Sequence, residues 1–197
     1  MHEHYPHQVL KTATRATLET DEGTLSGRCI AVASLRRHRI ISAPTPAWLV
    51  YAEPLSIDLH ALQAVVRSAS SRVDDLCRAV QARCRAPVIH RRVTLALRLI
   101  DEMLDDQVSA HVVAARAAIS LSQLQRVLSA RTGLSVRRLV RWRRMRLAVE
   151  LISSGQTVTQ AAHAAGFADA AHLSRTVRMM FAVAPASGLL GTRRVGD

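Results

Sequence analysis

The stretch from Gln156 to Pro185 constrains the chain more than any other, because it reads as two short helices held around one tight turn. Thr157 offers a hydroxyl to cap a helix N-terminus, and Val158, Ala161, Ala162 and Ala165 follow at helical spacing. Gly166 stops that helix, because a residue without Cβ enters the left-handed conformation cheaply. Phe167 is an apolar wedge after the turn. Asp169 then caps a second helix over about Ala170–Met180, with Leu173, Val177 and Met180 or Phe181 facing inward. Two short helices joined by a Gly-containing turn make a helix-turn-helix. On the outer face of the second helix stand His172, Ser174, Arg175 and Arg178, groups suited to base edges and phosphates. A plain helical hairpin with solvated arginines would read the same over this stretch alone, so the rest of the chain has to decide.

The same grammar occurs once more, 48 residues upstream. Ser109 can cap a short helix with Val112 and Val113 inside, Ala118-Ile119 makes a turn, and Ser120 caps a second helix. Leu121, Leu124, Val127 and Leu128 face in, and Gly133 ends it. Between the two units Ser135 caps a long helix with Leu139, Val140, Met145, Ala148, Leu151 and Ile152 on its inner stripe. From Ser135 to Ser153 it spans about 28 Å at ~1.5 Å per residue. That length can hold two helix-turn-helix units about one DNA turn, roughly 34 Å, apart. Before it, Val93, Leu97, Ile100 and Leu104 mark another helix. Its acidic end, Asp101, Glu102, Asp105 and Asp106, reads as a solvated face rather than a metal site.

Charge sharpens the picture. The net charge of +12 is concentrated after Gln107, where thirteen Arg and no Lys face only Glu150, Asp169 and Asp197, a net +10. A basic lobe of this kind favours polyanions through counterion release. No apolar run is long enough to span a membrane, and a basic segment without large exposed apolar residues is a poor membrane anchor. The first residues lack the pattern of a secretory signal. Cys29, Cys77 and Cys84 are odd in number and show no metal-ligand pairing, so reduced thiols in the cytoplasm are expected.

The first part of the chain has a different texture. Val9–Leu18, Arg28–Ser34, Arg39–Ser42 and Ala47–Tyr51 are extended candidates, Asp21-Glu22-Gly23 is a turn signal, and Pro44, Pro46 and Pro54 punctuate loops. This is too little chain for a large closed barrel, so a small or truncated β-sandwich is expected. Helix starts at Ser56-Ile57-Asp58, with Leu59, Leu62, Val65 and Val66 as one apolar stripe and Val73, Leu76, Cys77, Val80 and Cys84 as another. Ala86-Pro87 ends it and marks a domain boundary.

Residues of about 92–195 resemble the DNA-binding domain of the AraC/XylS transcription regulators. The matching positions are Ser120-x3-Leu124-x-Arg126, Thr132-Gly133-x-Ser135 and Arg144-Met145-x2-Ala148-x2-Leu151-Ile152. Val158-x2-Ala161-Ala162-x3-Gly166-Phe167-x-Asp169 and Leu173-x-Arg175 follow, ending at Pro185. The resemblance implies a seven-helix domain with two recognition helices reading successive major-groove faces. The first would be Leu121–Thr132, with Ser122, Gln123, Gln125 and Arg126 at contacting positions. The second would be Ala170–Met180, with Ala171, His172, Ser174 and Arg175 toward DNA. Arg144 and Arg178 add positive charge, and backbone amides near Ser120 and Asp169 could bind phosphates. The chain departs from the family where Leu173 and Val177 replace a usual Phe, Ala182 a closing Gly, and Ala118 a common turn Gly.

The N-terminal part resembles, more weakly, the cupin-like sensing domain of the same family, on His2-x-His4-x2-His7-Gln8, the Asp21-Glu22-Gly23 turn and His38-x-Ile40. His4, His7 and His38 are the implied effector-pocket residues. Metal-bearing cupins use an HxH and a later His, which would be His2, His4 and His38 here, but the sensing domains of this family are usually metal-free, so no metal and no cofactor are expected.

The expectation is therefore an α+β chain. A small β-rich, cupin-like domain (1–57) and a helical linker region (58–90) precede an all-α domain (91–195). That domain holds two helix-turn-helix motifs, at about 109–132 and 157–181, joined by a long helix. The implied function is cytoplasmic, bacterial, sequence-specific transcription regulation, and not enzymatic: no phosphate loop, Ser/His/Asp set or zinc framework is evident. Double-stranded DNA is the expected partner, with RNA polymerase and a small-molecule effector as further candidates, as a monomer or homodimer. Two rivals are an architectural DNA binder without effector and a DNA-repair methyl acceptor. The latter needs a reactive Cys motif that Cys29, Cys77 and Cys84 do not form.

Overall fold

The computed structural model describes residues 1–83, 91–104 and 108–181, without the side chains of Val73 and Phe181. Cys84, Pro87, Asp105, Asp106, Ala182 and Pro185, all singled out in the sequence, lie outside them. The described residues form two compact units, divided between residues 83 and 91.

The first unit is organised by one strand. β1 (His7–Thr20) pairs antiparallel with β2 (Gly23–Val32) along one edge. Along the other edge it pairs with β4 (Ala47–Ala52) through its first half and with β3 (His38–Ser42) through its second. The register with β2 shifts between Lys11 and Ala16, a bulge that bends the strand and lets one sheet curve. Alternation along β1 then sends neighbours to opposite faces. Val9 joins Leu62, Val65, Val66, Leu76 and Val80 in one core, and Leu10 joins Ala16, Leu18, Ile30 and Val32 in another.

The expected β-sandwich is thus a single four-stranded sheet among the described residues. Its second layer is helical. α1 (Leu59–Ser68) and α2 (Val73–Gln81), from the stretch read as a linker, lay their apolar stripes on the Val9 face. Asp58 caps α1 by accepting from the amides of His60 and Ala61 at 2.9 and 3.2 Å. At its other end Lys11 Nζ donates to the carbonyls of Val66 (2.9 Å) and Ala69, placing a cation at the negative end of the helix dipole.

The only secondary structure among the described residues of the second unit is helical: α3 (Arg91–Glu102), α4 (Ala110–Arg116), α5 (Leu121–Thr132), α6 (Val136–Ser153), α7 (Val158–Ala164) and α8 (Ala170–Phe181). The 18 residues of α6 run about 27 Å. This helix packs against α5, α7 and α8 and is covered on several sides, so Trp142 and Arg143 are buried with Leu139, Met145 and Ala148. Arg143 donates to Asp101 Oδ2 at 2.5 Å, and Arg146 lies 4.0 Å from Oδ1. Asp101, read as part of a solvated acidic face, is instead an anchor between α3 and α6. A buried guanidinium has to have such a partner, because an unpaired buried charge costs several kcal/mol.

Candidate functional site

The two helix-turn-helix pairs are built by the same local bonds. In α4–α5 the amides of Ala118 and Ile119 donate back to the carbonyls of Ala115 and Ala114, at 3.1 Å each. In α7–α8 the amides of Gly166 and Phe167 donate to His163 and Ala162, at 3.0 and 2.9 Å. The turn residue is left-handed in both: φ is +53° at Ala118 and +73° at Gly166. The Ala noted at the first turn therefore bears a steric penalty that Gly avoids. Up to this turn the copies keep the 48-residue offset. The second turn then runs one residue longer, since α5 is capped by Ser120 and α8 starts after Asp169.

Close helix crossing at each turn needs small side chains, and Ala114, Ala117, Ala161, Ala162 and Ala165 are buried there. Phe167 packs beneath its turn, edge-on to the His172 ring at 5.2 Å. One inward residue and one cap were misread upstream. Val113 is fully buried, whereas Val112 is 43% exposed, and Ser109 sits at the N-cap position of α4 without a side-chain cap bond.

Of the expected DNA-contacting side chains, Ser120, Ser122, Gln123, Gln125 and Arg126 are exposed on α5, and Ala171, His172, Arg175 and Arg178 on α8. Ser174 is half-buried. The face of α8 behind them holds Leu173, Val177 and Thr176, whose hydroxyl donates to the His172 carbonyl at 3.0 Å. Asp169 accepts from the His172 amide at 2.5 Å; that bond, with Arg175 nearby, holds its carboxyl below the ordinary value.

Some of the expected contact residues are engaged within the scaffold. Gln123 closes a capping box with Ser120: its Oε1 accepts from the Ser120 amide at 3.1 Å, while Ser120 Oγ accepts from the Gln123 amide at 3.2 Å. A bidentate adenine contact uses both ends of the amide, and the acceptor end is occupied. Gln125 and Arg126 carry no such commitment. Arg144, half-buried on α6, donates from Nε to the Leu104 carbonyl at 2.9 Å and lies under Gly166. Its guanidinium thus braces the second turn.

On the first unit the structure brings His4 and His38 together, as expected, but adds His2 rather than His7. His2 and His38 form an antiparallel bridge through two backbone bonds of 2.8 and 2.9 Å. The three rings have centroids 4.3–5.7 Å apart, and Tyr51 packs edge-on to His4 at 5.1 Å. His7 instead accepts from the Ser34 amide at 3.0 Å. His2, His4 and His38 are the trio that the HxH spacing with a later His named in the sequence; two-residue spacing puts His2 and His4 on one face of an extended chain. Burial lowers the pKa of His4 and His38, and lowers that of His2 to about 4, where the neighbouring His38 and His4 add to the effect.

Comparison with known proteins places this geometry. A family model described as a helix-turn-helix domain matches residues 113–187. Among solved structures, apo ToxT K231A from Vibrio cholerae strain SCE256 aligns with a TM-score of 0.60 at 12% identity, over 95% of this chain and 90% of that one. ToxT from Vibrio cholerae O395 gives 0.59 at 14% identity over the same shares. A transcriptional regulator of the AraC-type DNA-binding class from Chromobacterium violaceum aligns at 0.46, with 24% identity, over 48% of this chain and 86% of its own. No curated protein matches. The chain carries a helix-turn-helix domain over residues 113–187 and, over nearly its whole length, has the fold of ToxT.

Proposed function

We propose that the chain is a DNA-binding transcription regulator that lays α5 and α8 into successive major-groove segments of one duplex. The observation that carries this reading is the doubled motif. Two helix pairs are closed by matching backbone bonds, both pack on α6, and both belong to the half of the chain with thirteen arginines after Gln107. Phosphate contacts supply affinity and base contacts supply sequence preference. On α5, Gln125 and Arg126 are long, exposed and uncommitted, so this helix reads bases. On α8 the leading positions are Ala170 and Ala171, so Arg175 and Arg178 mainly hold phosphates. The first unit is the sensing part, with a small-molecule effector and RNA polymerase as the remaining proposed partners, in the cytoplasm.

The test is a binding-site selection with wild type, Arg126→Ala and Arg175→Ala, repeated at two salt concentrations. Arg126→Ala should change the preferred bases in one half of the site, at roughly 1–3 kcal/mol of lost discrimination. Arg175→Ala should weaken all sequences alike. The reverse result would exchange the reading and holding helices. Affinity that does not fall with salt would remove the DNA-binding reading altogether.

A further inference from the structure

The histidine cluster of the first unit has a chemistry that DNA binding does not require. We propose that His2, His4 and His38, with the amide oxygen of Gln8, bind one first-row divalent transition-metal ion. One ligand atom from each of the three imidazoles lies within 4.8 Å of the others. The backbone sets this up. The two-bond bridge fixes His2 opposite His38 on the same face, and the extended chain brings His4 to that face two residues later.

The hydrogen bonds then decide which nitrogens point at the common centre. His4 Nδ1 lies 3.0 Å from the Pro6 carbonyl, and His38 Nδ1 lies 2.8 Å from the Arg36 carbonyl. A carbonyl only accepts, so both Nδ1 atoms carry the proton and both Nε2 atoms present lone pairs. This is how metal-ligating imidazoles are held: one nitrogen tied to a backbone acceptor, the other turned to the ion. The two Nε2 atoms converge on Gln8 Oε1, at 2.9 and 3.2 Å, while Gln8 Nε2 makes no hydrogen bond. Three acceptors thus meet at one point in a region where Gln8, His4 and His38 are 1%, 3% and 0% exposed. Lone pairs repel one another unless a cation lies among them.

The donor set selects the ion. Imidazoles suit Zn²⁺, Ni²⁺, Cu²⁺ and Fe²⁺, whereas Mg²⁺ and Ca²⁺ call for oxygen shells. With Zn–N near 2.0–2.1 Å, a tetrahedral site needs nitrogens about 3.3 Å apart, so the rings close in by up to about 1.5 Å. His2, the half-buried member, has the room to swing. The ion then clasps the segment 2–4 onto β3.

The rival arrangement is the Gln8 amide turned about, its NH₂ donating to both rings and the cluster closed without metal. The test uses the full chain, stripped with a chelator and titrated with Zn²⁺ by calorimetry, and with Co²⁺ as an optical probe. Wild type should take up one Zn²⁺ per chain and melt at a higher temperature when loaded. It should also give the intense visible bands of low-coordinate Co²⁺. His2→Gln and His4→Gln should each weaken binding at least tenfold and abolish those bands, while the exposed control His60→Gln should change neither. No uptake at micromolar Zn²⁺, or uptake unchanged in His2→Gln, would overturn the proposal. His2 is half-buried, so this variant keeps its fold and the test stands even if His4→Gln does not. DNA affinity of the same preparations reports separately on the regulator reading.

Discussion

Gly166→Ala tests the packing of the second turn. Gly166 has φ +73°, and a Cβ there would lie 2.3 Å from the Leu104 carbonyl oxygen and 2.9 Å from Arg144 Nε and Cζ. Two penalties follow. Placing Ala in the left-handed region costs about 1–2 kcal/mol. Relieving the clash means moving the turn away from a backbone atom, which sacrifices the 2.9 Å bond from Arg144 Nε to Leu104. A hydrogen bond from a charged group contributes about 1.5–3 kcal/mol, so the variant should lose about 2.5–5 kcal/mol in all. Gly155→Ala is the matched control, because Gly155 has φ +100° with nothing within 4 Å of its would-be Cβ. It suffers backbone strain alone. Urea denaturation of the two variants, followed by far-UV circular dichroism, measures the difference. Equal losses would refute the claim that Leu104, Arg144 and Gly166 form one locked contact.

Ala118→Gly should stabilise the second unit by up to about 1 kcal/mol, since it removes the left-handed penalty at the first turn; a lower denaturation midpoint would contradict this. Gln123→Ala should lower the stability of α5 by about 0.5–1 kcal/mol through the lost capping box, yet alter base preference less than Arg126→Ala in a binding-site selection. For the metal-stripped first unit, the lowered pKa values of His2, His4 and His38 mean that the unfolded chain binds more protons once pH drops below the ordinary histidine value of 6.5. Their contribution is therefore full above that value and shrinks toward about pH 4, so the melting temperature should fall over this window. His38→Gln should flatten the fall, and a rise on acidification would contradict the assignment.

The helical half was legible because its signals are local. Thr157, Ser120, Ser135 and Gly133 act within a turn of where they stand, and each caps the helix it was expected to cap. What escaped depends on partners far along the chain. Asp101 meets Arg143 across 42 residues, and nothing near Asp101 announces that its carboxylate is engaged. Trp142 and Arg143 fall off the single inner stripe drawn for α6 because that helix is surrounded rather than resting on one face. The sheet was taken for a sandwich because strand-like runs do not reveal pairing. One strand, β1, accepts β2, β3 and β4, and the helices from 59–81 form the second layer. In the histidine cluster, the HxH spacing with a later His had named His2, His4 and His38, whereas the resemblance to the sensing domain had implied His7 in place of His2.

The capping boxes bear on how such a protein can change its target. Gln160 closes the box on α7, as Gln123 does on α5, so the device belongs to the scaffold in both places. On α5, however, the capping side chain also stands on the exposed face proposed to meet the bases. A substitution at Gln123 changes the start of the helix together with whatever the amide touches, whereas one at Gln125 or Arg126 leaves the helix start intact. New preferences are thus reached more readily through Gln125 and Arg126, and Gln123 is held in place by a structural duty on the surface most exposed to selection.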